Sequence, residues 1–427
     1  MTDRKLIDLF NKNSDDTGIP LISNSEWLRL IDEYSRDDIK MALAQYIHSN
    51  RIPFPLKKIT ATEFENNFLK FCQTSMMNQY KRFDQVLEKH EYKYKYADLP
   101  LGVIDKSHSY NKSSDYFQEE NRMKCGSNQV DAPWSIWHDK EKLTKMNWHF
   151  WRKGALGKSN ICAATFRSAF RIGTYTATQF KPSVAKALYE KHGAVYVLDT
   201  SVGWGDRLVG FYATANTRVY VGCDPNPDTF AVYKEQCLAY ERLLGETPVI
   251  VESENYFKCT GSKQVEIWNL PSEDVDWSKY KDYFDFYFTS PPYFETEKYA
   301  HSTDKVDMQS WSRYPTYDAW KNDFFFKVNR MVWETLKTGA FMMLNIIHPN
   351  SVKHSPNLCD EMVDDIKTFA DAHYLGKLGM RLQARPHSIV KASKNAVFIE
   401  PIWVFRKGNS TYPTHSSVFD SLFTEKT

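Results

Sequence analysis

The run Val-Tyr-Val-Leu-Asp-Thr-Ser-Val-Gly-Trp-Gly-Asp-Arg-Leu-Val-Gly at residues 195–210 constrains the fold more than any other stretch of the chain. Four apolar residues stop at Asp199, glycines follow at Gly203 and Gly205, and helical periodicity resumes at Leu208, Val209 and Phe211. This is the pattern of a buried parallel strand turning sharply into a helix. The glycines let backbone approach a ligand closely, and the first helical N–H groups face the crevice beyond the strand end. A nucleotide-like cofactor is the expected occupant, with Ser201 in the same turn. A second apolar run, 218–223, ends in Asp224, where a carboxylate can accept hydrogen bonds from ribose hydroxyls. The dinucleotide spacing Gly-x-Gly-x-x-Gly is not met, because Asp206, Arg207 and Leu208 follow Gly205. That argues against a nicotinamide dinucleotide.

Further along, residues 285–294 read Asp-Phe-Tyr-Phe-Thr-Ser-Pro-Pro-Tyr-Phe, an apolar strand that delivers Ser290, Pro291, Pro292 and Tyr293 at its end. With a glycine turn after one strand, an acid after the next and this tetrapeptide after a later one, the chain resembles the amino-group methyltransferases that use S-adenosyl-L-methionine. It looks most like the DNA cytosine-N4 and adenine-N6 enzymes. The resemblance covers roughly residues 174–407 and extends to the Glu-Pro-Ile-Trp-Val-Phe strand at 400–405. It implies an α/β fold: a Rossmann-like methyltransferase domain with a mostly parallel seven-stranded sheet, beside an N-terminal mainly helical domain.

The resemblance also implies roles. S-adenosyl-L-methionine would be held by Asp199, Ser201, Gly203, Gly205 and Asp224, with Glu273 or Asp274 meeting the adenine amino group and Thr178 and Phe180 closing over the methionine end. The Ser290 side chain and the Pro291 carbonyl would accept hydrogen bonds from the two N–H groups of an exocyclic amine, localising its lone pair toward the sulfonium methyl. Tyr293 would stack on a base that has left the duplex or is single-stranded. Ser290 preceded by Thr289 is the form this family pairs more often with cytosine than with adenine. A methyltransferase for RNA or a small-molecule amine, and a non-catalytic nucleic-acid-binding protein of the same fold, stay open as alternatives.

Composition bounds the rest. At 427 residues the chain has room for two to three domains, and 42% apolar with 15% aromatic residues is enough for a sizeable core rather than disorder. The net charge of +2 says little, but its distribution does: 140–190 carries ten Lys and Arg against Glu141 and Glu190, and 376–395 carries five and no acid. Such stretches fit phosphates, and the resemblance implies DNA as the partner, with RNA not excluded. Arg167, Arg171, Phe294, Arg381 and Arg385 are the candidate contacts, and a solvated basic face is the alternative. Seven scattered cysteines without a C-x-x-C pair indicate neither a disulfide framework nor a zinc site, and no metal is expected. No apolar run is long enough to span a bilayer and the first residues lack a signal-peptide pattern, so a cytoplasmic protein without membrane contact is expected.

The expected organisation is a mainly helical region at 1–150 that would carry target recognition, a methyltransferase domain at 151–410, and a tail at 411–427. Ser25 and Ser35 are expected helix caps, and a third helix should start near Thr62. Residues 91–96 alternate Tyr and Lys, as a half-buried strand or a base-stacking strip would. The polar run 106–128 reads as a long loop, and the close succession of Trp134, Trp137, Trp148 and Trp151 as a seam between domains. Helices are expected at 229–244 and 360–373. Gly157-Lys-Ser is no P-loop, since Gly154 precedes it at too short a spacing.

Overall fold

Ser23 and Ser35 open the N-terminal helices: each hydroxyl accepts the backbone N–H three residues on, at 3.2 Å from Glu26 and 3.1 Å from Asp38. In the computed structural model, which describes residues 4–81, 86–88, 94–96, 102–105, 108–127, 130–146, 148, 160–299, 306–349, 351–352, 355–382 and 397–408, these caps start helices Asn24–Glu33 and Arg36–Ser49. Ser25, the expected cap, lies inside the first of them. The chain falls into a helical unit (Met1–Ile59, Glu119–Thr178, Glu297–His301) and a sheet-bearing unit (Thr60–Gln118, Gln179–Thr296, Ser302–Thr427). A single boundary near 150 is therefore not where the chain divides.

The helical unit adds helices Arg4–Lys12, Pro133–His138, Lys140–Lys145 and Ala163–Gly173. Its core joins Phe10, Trp27, Leu30, Phe54, Trp137, Trp148, Phe166 and Phe170. Burial of rings of this size, at about 25 cal/mol per Å², is the main favourable term. Trp137 and Trp148 are thus core residues of this unit, not a seam, and Trp137 Nε1 donates to the Ile52 carbonyl at 2.8 Å. Trp151 lies outside the described residues.

In the sheet-bearing unit the described strands are β1 (Tyr80–Lys81), β2 (Val86–Glu88), β3 (Val103–Ile104), β4 (Tyr196–Asp199), β5 (Val219–Cys223), β6 (Val249–Ser253), β7 (Tyr256–Thr260), β8 (Gln264–Trp268), β9 (Phe284–Thr289), β10 (Leu336–Asn345), β11 (Ala372–Arg381) and β12 (Val397–Lys407). They form one sheet in the order β1-β3-β11-β12-β10-β9-β4-β5-β8-β7-β6, with β2 beside β12. The expectation of seven mostly parallel strands needs correcting: six of the eleven pairings are parallel and five antiparallel. Only the centre, β8-β5-β4-β9-β10, is continuously parallel. Consecutive residues of β5 and β9 are buried, so both faces of this centre are covered, which is why they read as unbroken apolar runs. The additions are strands of two or three residues from 80–104, too short for a periodic signal, and the β7–β8 pair, where polar residues interrupt the apolar ones; β6 stands where a short strand is expected from 248 to 251.

Helix Asp206–Ala213 follows β4 and helix Pro227–Leu243 follows β5. The chain then steps outward from β5 to β8, and later from β9 to β10 on the other side of β4, so the winding reverses between β4 and β9. Ligands bind at such a switch point, beyond the carboxyl ends of the strands.

Three further expectations change. A helix, Lys112–Met123, occupies most of the expected loop. On the sheet-bearing side it buries Ser113, Ser114 and Gln118, which bond Asn67, Asp206 and Gln236 in place of apolar packing. Tyr94 to Tyr96 form no strand: the Lys95 and Tyr96 N–H groups donate to the Asp360 carboxylate, and Tyr94 packs edge-on to Trp403. Residues 91–93 lie outside the described residues. The helix expected at 360–373 is Leu358–Ile366, and β11 starts at Ala372. Among the described residues no helix is long and apolar enough to cross a membrane.

Candidate cofactor and acceptor site

Asp199 ends β4 fully buried, and its carboxylate is taken up by the protein. Arg207 approaches with Nε at 2.7 Å and Nη2 at 3.3 Å, the Tyr220 hydroxyl donates at 2.6 Å, Thr289 Oγ1 at 2.8 Å, and the Ser201 N–H at 3.1 Å. A carboxylate offers about four lone-pair positions, so Asp199 has none left for a ligand. Instead it ties the end of β4 to β5 through Tyr220 and to β9 through Thr289. Burial pulls the Arg207 pKa down, but the Asp199 charge and hydrogen bonds more than reverse this, leaving the group above its ordinary range. Arg207 also lies 5.4 Å over the Phe180 ring, which meets Phe288 edge-on at 5.6 Å.

The turn after β4 needs its glycines for two reasons. Gly203 and Gly205 adopt φ +61° and +71°, in the left-handed region. A Cβ on Gly205 would meet the Gln236 amide at 2.7 Å, whereas one on Gly203 would find only the Ser201 carbonyl oxygen, at 3.7 Å. The turn is thus packed beneath Gly205 and open at Gly203. Ser201 is half-buried and donates to its neighbour's carbonyl, Thr200 O, at 2.8 Å.

Asp224, just past β5, accepts the Gly203 N–H at 2.7 Å on one oxygen and the Asn226 N–H at 2.9 Å on the other. Burial pushes its carboxyl up to about 6 against the pull of those two backbone donors. Asp206, the first residue of the next helix, is also pushed up to about 6 by burial, opposed by the Ser114 and Gln179 hydrogen bonds. Beyond β8, Glu273 is nearly fully buried and lacks a well-aligned hydrogen-bond donor, although Arg313 Nη1 stands 3.0 Å from its Oε1. Burial raises its pKa, with Arg313 and the Tyr314 hydroxyl opposing. Asp274 is more exposed and spends both oxygens on Arg313, at 2.7 and 3.1 Å. Of the two acids, Glu273 is the one with hydrogen-bonding capacity to spare.

The 290–293 loop leaves β9 at the switch point and is held on both sides of Ser290. Before it, Thr289 is bonded to Asp199; after it, the Tyr293 hydroxyl lies 2.6 Å from Glu400 Oε1 and 3.1 Å from the Asn345 carbonyl oxygen. Pro291 is buried and Pro292 half-buried. Ser290, half-buried between these attachments, makes no hydrogen bond with its side chain among the described residues. Phe294, expected as a nucleic-acid contact, is buried at φ +51°, and its ring packs 5.7 Å from both Tyr317 and Trp320.

The remaining candidates are dispersed. Thr178 is exposed and belongs to the helical unit, whereas Phe180 belongs to the sheet-bearing unit. Arg167 is occupied structurally, donating to the Pro55 and Leu56 carbonyls at 3.1 and 3.2 Å. Arg171 is exposed in the last turn of its helix. Arg381 meets the Asp105 carboxylate at 3.1 and 3.3 Å, and Arg385 lies outside the described residues. Arg207, Tyr220, Thr289 and Glu400 were not foreseen as site residues. Arg207 stands eight positions after Asp199 in the same turn, and Thr289 and Glu400 fall inside the two strand motifs that carry the resemblance; Tyr220 left no local trace.

No protein-family description and no curated protein matches this chain. Solved structures align with this chain only at a low level. The 4+2 cyclase SpnF aligns at a TM-score of 0.33 and 10% identity, over 53% of this chain and 81% of its own. Trm1 from Pyrococcus horikoshii, in complex with S-adenosyl-L-methionine, aligns at 0.31 and 14%, over 55% and 57%. A SAM-dependent O-methyltransferase from Thermotoga maritima aligns at 0.29 and 11%, over 55% and 68%. The chain thus spans a little over half the length of Trm1. Likeness at these values assigns neither a family nor an activity.

Proposed function

We propose that this chain is an S-adenosyl-L-methionine-dependent methyltransferase acting on an exocyclic amino group of a DNA base, cytosine N4 in preference to adenine N6. The observation that carries the reading is Ser290: a half-buried hydroxyl with no hydrogen-bond partner among the described residues, in a loop fixed on both sides, at the sheet's switch point. It is joined through Thr289 and Asp199 to a glycine turn that is open at Gly203.

The residues fit the cofactor. Asp224 accepts one backbone N–H on each oxygen, with the Thr229 hydroxyl a more distant 3.5 Å from Oδ1, and ribose hydroxyls would take its remaining capacity. Glu273, buried and short of donors, suits the adenine amino group. S-adenosyl-L-methionine would supply an electrophilic methyl on a sulfonium. The chain's own part is alignment: Ser290 Oγ and the Pro291 carbonyl accept hydrogen bonds from the amine N–H groups, and preorganised acceptors of this kind avoid reorganisation during reaction. Recognition of the surrounding nucleic acid is assigned to the helical unit and to the basic stretches that retain exposed charge, Arg171 among them.

Calorimetry with S-adenosyl-L-methionine tests the first half. Binding by the wild type, retained in Ser290→Ala while methyl transfer falls on the order of a hundredfold, is the expected result. A wild type that does not bind the cofactor overturns the reading.

A further inference from the structure

We propose that Glu400 is a positioning residue that fixes the Tyr293 ring before substrate arrives; the inference rests on the acceptor-loop reading above. A phenol has one proton to donate. With Glu400 Oε1 at 2.6 Å and the Asn345 carbonyl at 3.1 Å, it goes to the carboxylate, the shorter and charge-assisted partner.

The carboxylate is itself held. Glu400 is 7% exposed, and Pro401 after it confines its backbone to extended conformations. The β10–β12 pairing places Asn345 opposite Ile402, and the Asn345 side chain donates to the Pro401 carbonyl at 3.0 Å. Two adjacent strands thus present Glu400 and the Asn345 carbonyl to one hydroxyl. Directly after Tyr293, the Phe294 ring is packed against Tyr317 and Trp320. Tyr293 packs against the same core, so its hydroxyl bond removes the remaining freedom of the ring. A stacking ring held this way loses less conformational entropy when a base arrives. An acid directly before a proline in an inner strand is an unusual element in a sheet, and Tyr293 gives it a role.

The test compares Glu400→Ala, Glu400→Gln, Tyr293→Phe and the double variant Glu400→Ala/Tyr293→Phe. Hydrogen exchange of residues 290–296 should rise about tenfold in Glu400→Ala and in Tyr293→Phe, and no further in the double variant. Glu400→Gln, which keeps an acceptor oxygen, should stay near wild type. With a cytosine-containing duplex oligonucleotide, the same two single variants should raise KM about tenfold with S-adenosyl-L-methionine affinity unchanged. Unchanged exchange in Tyr293→Phe, or independent additive effects of the two substitutions, overturns the proposal. Should Glu400→Ala fail to fold, Tyr293→Phe against Glu400→Gln decides in the same way. Loosened exchange in Glu400→Ala and Tyr293→Phe, beside a wild type that methylates nothing, would refute the proposed activity and leave the positioning intact.

Discussion

Arg207→Met removes a guanidinium while keeping most of the side chain's length and apolar stem. The Arg207 and Asp199 side chains are 5% and 0% exposed, so solvent hardly screens the pair. Deleting one partner of a buried ion pair costs about 3–5 kcal/mol, because the other charge stays behind in a dry site. Here Tyr220, Thr289 and the Ser201 N–H still meet Asp199, which puts the expectation at the lower end, about 3 kcal/mol. That is a large share of a typical domain stability of about 5–15 kcal/mol. Urea unfolding at pH 7 measures it, read together with hydrogen exchange of residues 196–209 because two units need not unfold together. The loss should hardly change between low and high salt, and Arg207→Met with Asp199→Asn should cost less than the sum of the singles. A loss below about 1 kcal/mol, or strict additivity, would refute the argument that this pair organises the turn.

Asp224→Ala should weaken S-adenosyl-L-methionine binding by about 1–3 kcal/mol, the worth of hydrogen bonds to a charged acceptor; calorimetry on the variant checks it, and unchanged affinity would remove Asp224 from the site. Asp206 predicts a pH dependence. Burial raises its folded-state value from 3.8 to about 6, so between about pH 4 and 6 the folded chain keeps a proton that the unfolded chain has released. Stability therefore falls as pH rises through that window and stays lower above it, by roughly 2–3 kcal/mol for a shift of this size. Thermal melts of wild type and Asp206→Asn from pH 4 to 8 should diverge in that sense, and parallel curves would contradict it.

The centre of the sheet was legible in the sequence because β4, β5 and β9 are buried on both faces and so are written as continuous apolar runs ending in Asp199, Asp224 and Thr289. The glycine turn was legible because Gly203 and Gly205 adopt a backbone that other residues resist. Helix Lys112–Met123 was not, because most of what it buries is polar, Ser113, Ser114, Asp115, Gln118, Glu119 and Arg122 among them, and several of these bond residues distant in the sequence. The same holds for the contacts that shape the site: Tyr220, Thr289 and Glu400 stand 21, 90 and 107 positions from the groups they bond. Phe294 misled for a related reason. An aromatic residue beside a catalytic tetrapeptide reads as a base contact, and only packing shows it turned inward against Trp320.

The most direct test is mass spectrometry of nucleosides from DNA incubated with the protein and methyl-labelled S-adenosyl-L-methionine, run beside Ser290→Ala. The account predicts label in N4-methylcytosine with wild type and a loss on the order of a hundredfold in the variant. Label in N6-methyladenine would correct the base and keep the mechanism. Label only in 5-methylcytosine, or in no nucleoside at all, would contradict the account.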